Sequence, residues 1–165
     1  MADIEPNTKT LLIDGSPSKY ESLPEFGMGM VVNDVRAFMQ ACGQDTPGLP
    51  ALPDDAVRDL RIRLHDEEVN KELRGALERG DLTEIADGVA DGVFVMLGTA
   101  LAYGIPLAKV WARVCEANMA KVDPVTGMVF RRADGKIIKP EGWVPPDIAG
   151  LIRDALHAGQ GELEL

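Results

Sequence analysis

Apolar positions recur at helical spacing along most of the chain, and glycine and proline divide them into segments. The first apolar stripe runs from Val31 to Met39 and ends at a loop that contains three prolines. The next begins at Asp54 or Asp55, either of which can cap a helix, and ends at Gly80. The pattern therefore predicts two helices before residue 81.

Two further helices are predicted between residues 81 and 121. Asp81 opens the third with Glu84 at a capping-box spacing, and Gly104 ends it. Pro106 then stands where the first turn of a fourth helix would begin. The apolar stripe predicted to form the core face of the third helix comprises Ile85, Val89, Val93, Met96, Leu97 and Leu101.

The pattern changes after Lys121. Short apolar runs flank Asp134 and Gly135, which indicates a small β-hairpin with an Asp-Gly turn. Pro145 and Pro146 precede a short last helix that we expect to end near Leu156. The predicted fold class is all-α: an antiparallel four-helix-type bundle with a small C-terminal β-hairpin and a short last helix.

The same punctuation predicts the domain organisation. Residues 1–28 hold several prolines and glycines and few periodic apolar residues, so we expect an irregular N-terminal arm. Residues 29–157 form the helical domain. Residues 158–165 are expected to be a frayed tail.

Composition excludes several classes of protein. Among 165 residues, 27 are acidic and 17 basic, and the net charge of −10 argues against a nucleic-acid partner. Cys42 and Cys115 form neither a disulfide framework nor a zinc-ligand spacing. The first residues lack the pattern of a signal peptide, and the apolar run from Val89 to Ile105 is too short to span a bilayer. We expect a cytoplasmic protein with no membrane partner.

Acidic residues fall on facing positions of the second and third helices. Glu68 and Glu72 are four apart on one helix, and Glu84 and Asp87 are three apart on the next. A short connection should pack these helices antiparallel, so the two pairs would face each other. Unpaired carboxylates there would repel each other, and a divalent cation removes that cost. All-oxygen ligation favours Mg²⁺, Ca²⁺ or Mn²⁺, and Mg²⁺ commonly also binds substrate phosphates.

A simpler interpretation is that these side chains belong to solvated helix faces, with Glu84 serving only as a capping-box residue. This interpretation does not explain Asp87 and Asp91, because they interrupt an apolar face where a carboxylate needs a partner. Gly88 and Gly92 also each cost roughly 1 kcal/mol inside a helix. Close approach of a second helix or of a ligand would account for them.

The segment after the fourth helix is basic, with five lysines and arginines against two aspartates between residues 121 and 139. Asn118 and Lys121 share a helix face, where an amide and an ammonium could hold a phosphate or a sugar. The alternative is that Lys121 interacts only with the helix dipole.

The order Glu67-Glu68, Glu72, Glu84-x-x-Asp87 resembles the all-α nucleoside triphosphate pyrophosphohydrolases, the MazG-like superfamily, whose hallmark is EExxE followed by ExxD. The run from Asn118 to Lys121 matches as well. The segment from Asp134 to Asp147 is similar to short, phage-type members. The resemblance covers about residues 31–150. One departure is that Lys71 stands at the third Glu position of EExxE, with the Glu displaced to Glu72, and a π-bulge could absorb the extra residue.

The resemblance implies hydrolysis between the α- and β-phosphates, giving a nucleoside monophosphate and pyrophosphate. It implies that Mg²⁺, with Mn²⁺ as a substitute, is held by Glu68, Glu72, Glu84 and Asp87. It implies that Glu67 and Glu68 are catalytic, with Glu67 or a metal-bound carboxylate activating the attacking water. It implies that the substrate is bound by Asn118, Lys121, Lys136 and Lys139. It also implies a homo-oligomer, a dimer or a tetramer.

The substrate is open at this level. Analogy to phage-type relatives favours a purine deoxynucleotide, dGTP first, in the cytoplasm of a phage-infected host cell. Phosphoribosyl-ATP is the alternative substrate. A catalytically silent bundle that binds a nucleotide or a partner is the alternative outside enzymes.

Overall fold

Helices make up most of the chain in the computed structural model, which describes residues 27–161. Six α-helical stretches and one π-helical stretch form five continuous helices in this range. The stretches are α1 (Met28–Ala41), α2 (Asp55–Leu64), the π segment (His65–Leu73), α3 (Arg74–Arg79), α4 (Leu82–Ala102), α5 (Leu107–Met119) and α6 (Ile148–Gly161). The chain divides into two units within α1, between residues 34 and 35, and the features below lie in the second. Most of the predicted arm, residues 1–26, and the last four residues of the predicted tail lie outside the described range.

The second predicted helix is confirmed as one continuous helix formed by α2, the π segment and α3. Asp54 caps its start by accepting a hydrogen bond from the backbone N–H of Val57 at 2.8 Å. Gly80 ends it in the left-handed conformation with φ of 68°, which glycine adopts without steric cost.

Helix α4 packs along the π segment, and glycines set how closely. A Cβ at Gly88 would lie 3.0 Å from the Cα of Leu73, so this glycine lets the two backbones approach. A Cβ at Gly92 would make only ordinary contact with Val69, at 3.5 Å. Further along, Nε2 of His65 lies 2.9 Å from the hydroxyl of Thr99, which joins the two helices. Close helix approach thus accounts for Gly88.

The predicted core face of α4 is wrong at three of its positions. Val89, Val93 and Met96 are 49%, 44% and 52% exposed, and Trp111 on α5 is 57% exposed. Because α4 is apolar around most of its circumference, periodicity alone does not determine which side is buried. By length and composition α4 could also cross a membrane, a test that the core helices of soluble proteins pass as well.

The predicted C-terminal β-hairpin is absent, so the predicted fold class is wrong in this element. The described residues contain no β-strand, and only isolated bridges join Val122 to Val129 and Arg131 to Ile137. The chain does reverse at the expected place, since Gly135 has φ of 84° and its N–H bonds to the carbonyl of Arg132 at 2.9 Å. The apolar side chains of this segment have no buried face to pack against, which leaves a lone pair of short strands unstable.

The last helix is longer than predicted. It begins after Asp147, as expected, and Asp147 accepts from the N–H of Gly150 at 2.8 Å. It continues to Gly161 rather than ending near Leu156, so residues 158–161 of the predicted tail are helical. Gly159 is buried, and a Cβ there would meet the side chain of Leu49, so packing extends the helix past the expected end.

Candidate active site

The π segment presents the acidic residues of the EExxE-like motif. In a π-helix the backbone hydrogen bonds run from residue i to i+5, so one turn holds more residues than an α-turn. The wider turn keeps Glu68 and Glu72 on one face although an extra residue separates them. The departure from EExxE at Lys71 therefore coincides with π-helical backbone, which extends over nine residues rather than a single bulge.

Five carboxylates gather where the π segment meets α4. Burial raises the pKa of Glu68, and the negative charges of Glu72, Asp91, Glu67 and Asp87 raise it further, in that order. We call these five residues the carboxylate cluster. None of them forms an ion pair with a basic residue within residues 27–161. The cluster therefore concentrates negative charge that the described chain leaves uncompensated.

The chemistry of these donors fits a hard divalent cation, because all of them are carboxylate oxygens. Their geometry is not converged: across residues 27–161 no three Asp, Glu, His or Cys side chains lie close enough to hold a metal ion. Glu84 stands apart from the cluster. It is exposed near the start of α4, where its N–H bonds to Asp81, and it is not among the groups that raise the pKa of Glu68.

Asp91 belongs to the carboxylate cluster but was not among the predicted site residues. It follows Asp87 by four positions, and both interrupt the apolar pattern of α4. Its charge acts on Glu68 across the helix contact and ranks ahead of that of Asp87. The helical spacing was the signal that could have included it.

The predicted substrate-binding residues are grouped in part at the end of α5. Nζ of Lys121 donates to Oδ1 of Asn118 at 2.8 Å, and the ring of Trp143 lies 5.3 Å from Nζ of Lys121. Nζ of Lys139 lies 4.1 Å from the same ring, while the indole N–H donates to the carbonyl of Ala117 at 2.7 Å. Trp143 thus joins Lys121 to Lys139, and Lys121 in turn binds Asn118.

Lys136 is not part of this group. It is exposed, and its backbone N–H bonds to Asp134 in the turn at 3.0 Å. Within the described residues, no hydrogen bond or ion pair joins any of the four predicted substrate-binding residues to the carboxylate cluster. The carboxylate cluster and the group of Asn118, Lys121, Lys136 and Lys139, which we call the basic region, are therefore not linked by hydrogen bonds or ion pairs within the described residues.

A cavity of about 360 Å³ opens next to the carboxylate cluster, and Glu68 and Asp91 line one end of it. The other end is lined by Arg61 and Gln44, whose side chains are hydrogen-bonded to each other. Burial lowers the pKa of the Arg61 guanidinium, which is partly offset by Tyr103. Sequence reasoning missed Arg61, although its helical spacing from Val57 and Leu64 places it on the buried face of α2, and that spacing was the available signal.

A helical protein in which a π segment and a neighbouring helix gather carboxylates around a cavity is suited to binding a cation together with a small ligand. Residues 35–118, just over half of the chain, match the family model of phosphoribosyl-ATP pyrophosphohydrolase. The chain belongs to this family, which places it in the MazG-like all-α nucleoside triphosphate pyrophosphohydrolase superfamily and among the nucleotide pyrophosphohydrolases. No curated protein matches the chain.

Proposed function

We propose that the protein is a Mg²⁺-dependent pyrophosphohydrolase of nucleoside and deoxynucleoside triphosphates, with a guanine nucleotide, dGTP first, as the preferred substrate. Water would add across the anhydride between the α- and β-phosphates, releasing a monophosphate and pyrophosphate. The observation that carries this proposal is the carboxylate cluster around Glu68, in a chain of this family. Uncompensated carboxylates beside a ligand-sized cavity suit a cation that is shared with a phosphorylated substrate.

The proposed metal ligands are Glu68, Glu72, Glu84 and Asp87. When bound, Mg²⁺ or Mn²⁺ would stabilise the charge that develops on the phosphates and acidify a bound water. Glu67 and Glu68 are the proposed catalytic residues, and Glu67 would orient the attacking water and accept its proton. Among the proposed ligands, Glu68, Glu72 and Asp87 lie in the cluster, while Glu84 would have to join it when the cation binds.

The basic region would bind the sugar and the phosphates through Asn118, Lys121, Lys136 and Lys139. The ring of Trp143 already contacts Lys121 and Lys139, and Lys121 also binds Asn118, which restricts the two lysine side chains before substrate arrives. Restricting them lowers the entropy that binding must remove. Lys136 would reach the phosphate tail from the exposed turn.

We also propose that the working form is a homo-oligomer, a dimer or a tetramer. The exposed apolar side chains on the outer face of α4 and Trp111 on α5 support this proposal. A second copy covering these positions would remove a row of β-branched and aromatic side chains from water. It would also offer a way to complete the site with groups from another chain.

Phosphoribosyl-ATP is the second candidate substrate. The match to the phosphoribosyl-ATP pyrophosphohydrolase model over residues 35–118 favours it. Its hydrolysis would need the same carboxylates, because the cleaved anhydride is the same. The substrates differ in what surrounds the base, so only direct comparison of turnover separates them.

The test is to incubate the purified protein with each of the eight common NTPs and dNTPs and with phosphoribosyl-ATP, in Mg²⁺ and then in EDTA. Anion-exchange chromatography would resolve the products. We expect monophosphate without diphosphate, highest with dGTP, and no product in EDTA. Diphosphate as product would contradict cleavage between the α- and β-phosphates.

The remaining outcomes also discriminate. Turnover of phosphoribosyl-ATP alone would replace the dNTP proposal with the second candidate. Absence of turnover for every substrate, combined with thermal stabilisation by Mg²⁺, would support a silent nucleotide-binding bundle. Size-exclusion chromatography with light scattering, run on the same preparation, tests the oligomer, and a monomer at micromolar concentration would contradict it.

A further inference from the structure

A buried guanidinium without a counter-ion lines one end of the cavity. Arg61 is only 5% exposed and is the only buried charged side chain among residues 27–161. Its Nη2 donates to Oε1 of Gln44, its Nε is buried with no hydrogen-bond partner, and no carboxylate pairs with it in this part of the chain. A buried charge left in this way is costly, and a ligand that supplies hydrogen-bond acceptors would offset that cost.

The walls of the cavity suit a flat apolar ring. Phe38 and Phe94 pack edge to face with ring centroids 5.4 Å apart, and Met39, Leu64 and Val95 complete the lining. Its volume of about 360 Å³ falls at the lower end of small-molecule sites, which run from roughly 300 to 1,000 Å³. Gly98 leaves room for the guanidinium, since a Cβ there would lie 2.8 Å from Nη1 of Arg61. The site is thus apolar at its sides and polar at its ends.

The two polar ends are separated by about the length of a nucleoside. Arg61 and Glu68 are seven residues apart along one continuous helix, which corresponds to a rise of roughly 10 Å. Both line the cavity, as does Asp91 on α4. A ligand whose ring reaches Arg61 would therefore present its other end to the carboxylate cluster, where the proposed function puts the phosphates.

The hydrogen-bonding groups at the end of the cavity lined by Arg61 and Gln44 discriminate between bases. A guanidinium carries only donors, and with Oε1 of Gln44 already accepting from it, the free valences of the Gln44 amide nitrogen are donors too. Most of the groups at this end are donors, so it favours a base edge made of acceptors. Guanine presents O6 and N7 together, the pair that arginine binds most often, whereas adenine and cytosine each place an amino donor on this edge.

We propose that Arg61 and Gln44 are the base-reading residues of this protein and that they select guanine. The proposal rests on the proposed function for the placement of the phosphates, but its base specificity is measurable by binding alone. It identifies a specificity-determining pair outside the acidic motif.

The first test replaces Arg61 with Met, with Arg63→Met as the matched control on the exposed side of α2. Calorimetric titration with dGMP and with dAMP in MgCl₂ measures binding without turnover. We expect the wild type to favour dGMP by on the order of 10–100-fold and Arg61→Met to lose that ratio. The melting temperature of Arg61→Met should be maintained or raised, because an apolar side chain of similar length replaces an unpaired buried charge. Arg63→Met should behave as the wild type.

The second test leaves the arginine in place. Gln44→Glu would give Arg61 a counter-ion, which should raise the melting temperature and occupy the donors that guanine would use. We expect weaker dGMP binding in a more stable protein, a combination that a purely structural role for Arg61 does not produce.

The results separate this inference from the proposed function. If Arg61→Met keeps the guanine preference, or loses dGMP and dAMP equally with a lower melting temperature, the base-reading role is wrong and the hydrolysis proposal is untouched. If the wild type binds dGMP selectively through Arg61 but hydrolyses no nucleotide, the base-reading role holds and the hydrolysis proposal fails. A wild type without guanine preference overturns the inference.

Discussion

The acidic and basic regions of this chain differ in how their charges are satisfied. In the carboxylate cluster, burial and neighbouring negative charges raise the pKa of Glu68, and no basic residue within residues 27–161 compensates them. In the basic region, charges have local partners: Lys121 donates to Asn118, Lys139 lies over Trp143, and Arg132 pairs with Asp134 at 3.1 Å.

The acidic and basic regions also differ in the secondary structure that carries their residues. The acidic residues project from two helices that pack closely, since a Cβ at Gly88 would lie 3.0 Å from the Cα of Leu73. The basic residues occupy a helix end and a turn, where Lys121 and Lys139 contact the ring of Trp143. We propose that an external cation compensates the like charges of the acidic region, whereas the basic region satisfies its charges within the chain.

Among the variants that test this difference between the two regions, Glu68→Gln should have the largest effect, which is loss of catalysis. Removing one proposed ligand at the centre of the cluster should lower kcat/KM by about 100-fold or more. In metal-free protein the same change should raise the melting temperature, because the ionised form of Glu68 is disfavoured by its neighbours. Steady-state kinetics and thermal unfolding in EDTA measure the two effects.

Glu78→Gln is the matched control for this variant. Glu78 lies on α3, is exposed, and pairs with Arg74 at 2.8 Å outside the cluster. We expect turnover close to that of the wild type and no rise in melting temperature. Full activity in Glu68→Gln would show that the cluster is not the catalytic site.

A smaller effect is expected from changing the spacing of the helices. Gly88→Ala would force a methyl group against the backbone of Leu73 and should lower the free energy of unfolding by about 1–3 kcal/mol. Gly92→Ala would meet Val69 at ordinary contact distance and should raise it by up to about 1 kcal/mol, since alanine favours helix. Denaturant unfolding of both variants measures the difference. Equal effects would mean that the close approach at Gly88 is not what the acidic region depends on.

Much of the helical framework was predictable because local chemistry specifies it. Asp54, Gly80 and Asp81 cap or end helices through their own backbone and side-chain preferences, and each does so in the structure. The prediction of a hairpin from the Asp-Gly turn was wrong, because a turn determines only where the chain reverses. Pairing beyond isolated bridges needs a buried face, which depends on distant residues.

The candidate site divides in the same way. Motif spacing grouped Glu68, Glu72 and Asp87, since helical period is a local property. The helical spacing also places Arg61 on the buried face of α2, but its lack of a counter-ion depends on which residues of α1 and α4 line the same cavity, and that was not predictable. Arg63, two positions further on, lies on the opposite, exposed side of the helix.

The smallest expected effect concerns Asp123, whose pKa is shifted in the opposite direction to that of Glu68. The backbone N–H of Thr126 at 2.7 Å, the hydroxyl of Thr126 at 2.9 Å and the N–H of Val125 at 3.0 Å all donate to its Oδ1. These hydrogen bonds lower the pKa of Asp123, so its stabilisation of the turn is present above the ordinary aspartate pKa and is lost as pH falls through the lowered value. For Glu68, protonation instead relieves repulsion as pH falls.

An NMR titration of the Thr126 amide would therefore show a shift with a midpoint below the ordinary pKa of aspartate, about 3.9. In Asp123→Asn the amide oxygen still accepts hydrogen bonds but does not titrate, so the pH dependence should disappear while the turn remains. A midpoint at or above the ordinary value would mean that the turn does not favour the charged carboxylate. Hydrogen bonds would then not stabilise the charged form of Asp123 in the way that a cation is proposed to stabilise the charged form of Glu68. The contrast between a locally satisfied carboxylate and an uncompensated one would no longer distinguish the two regions.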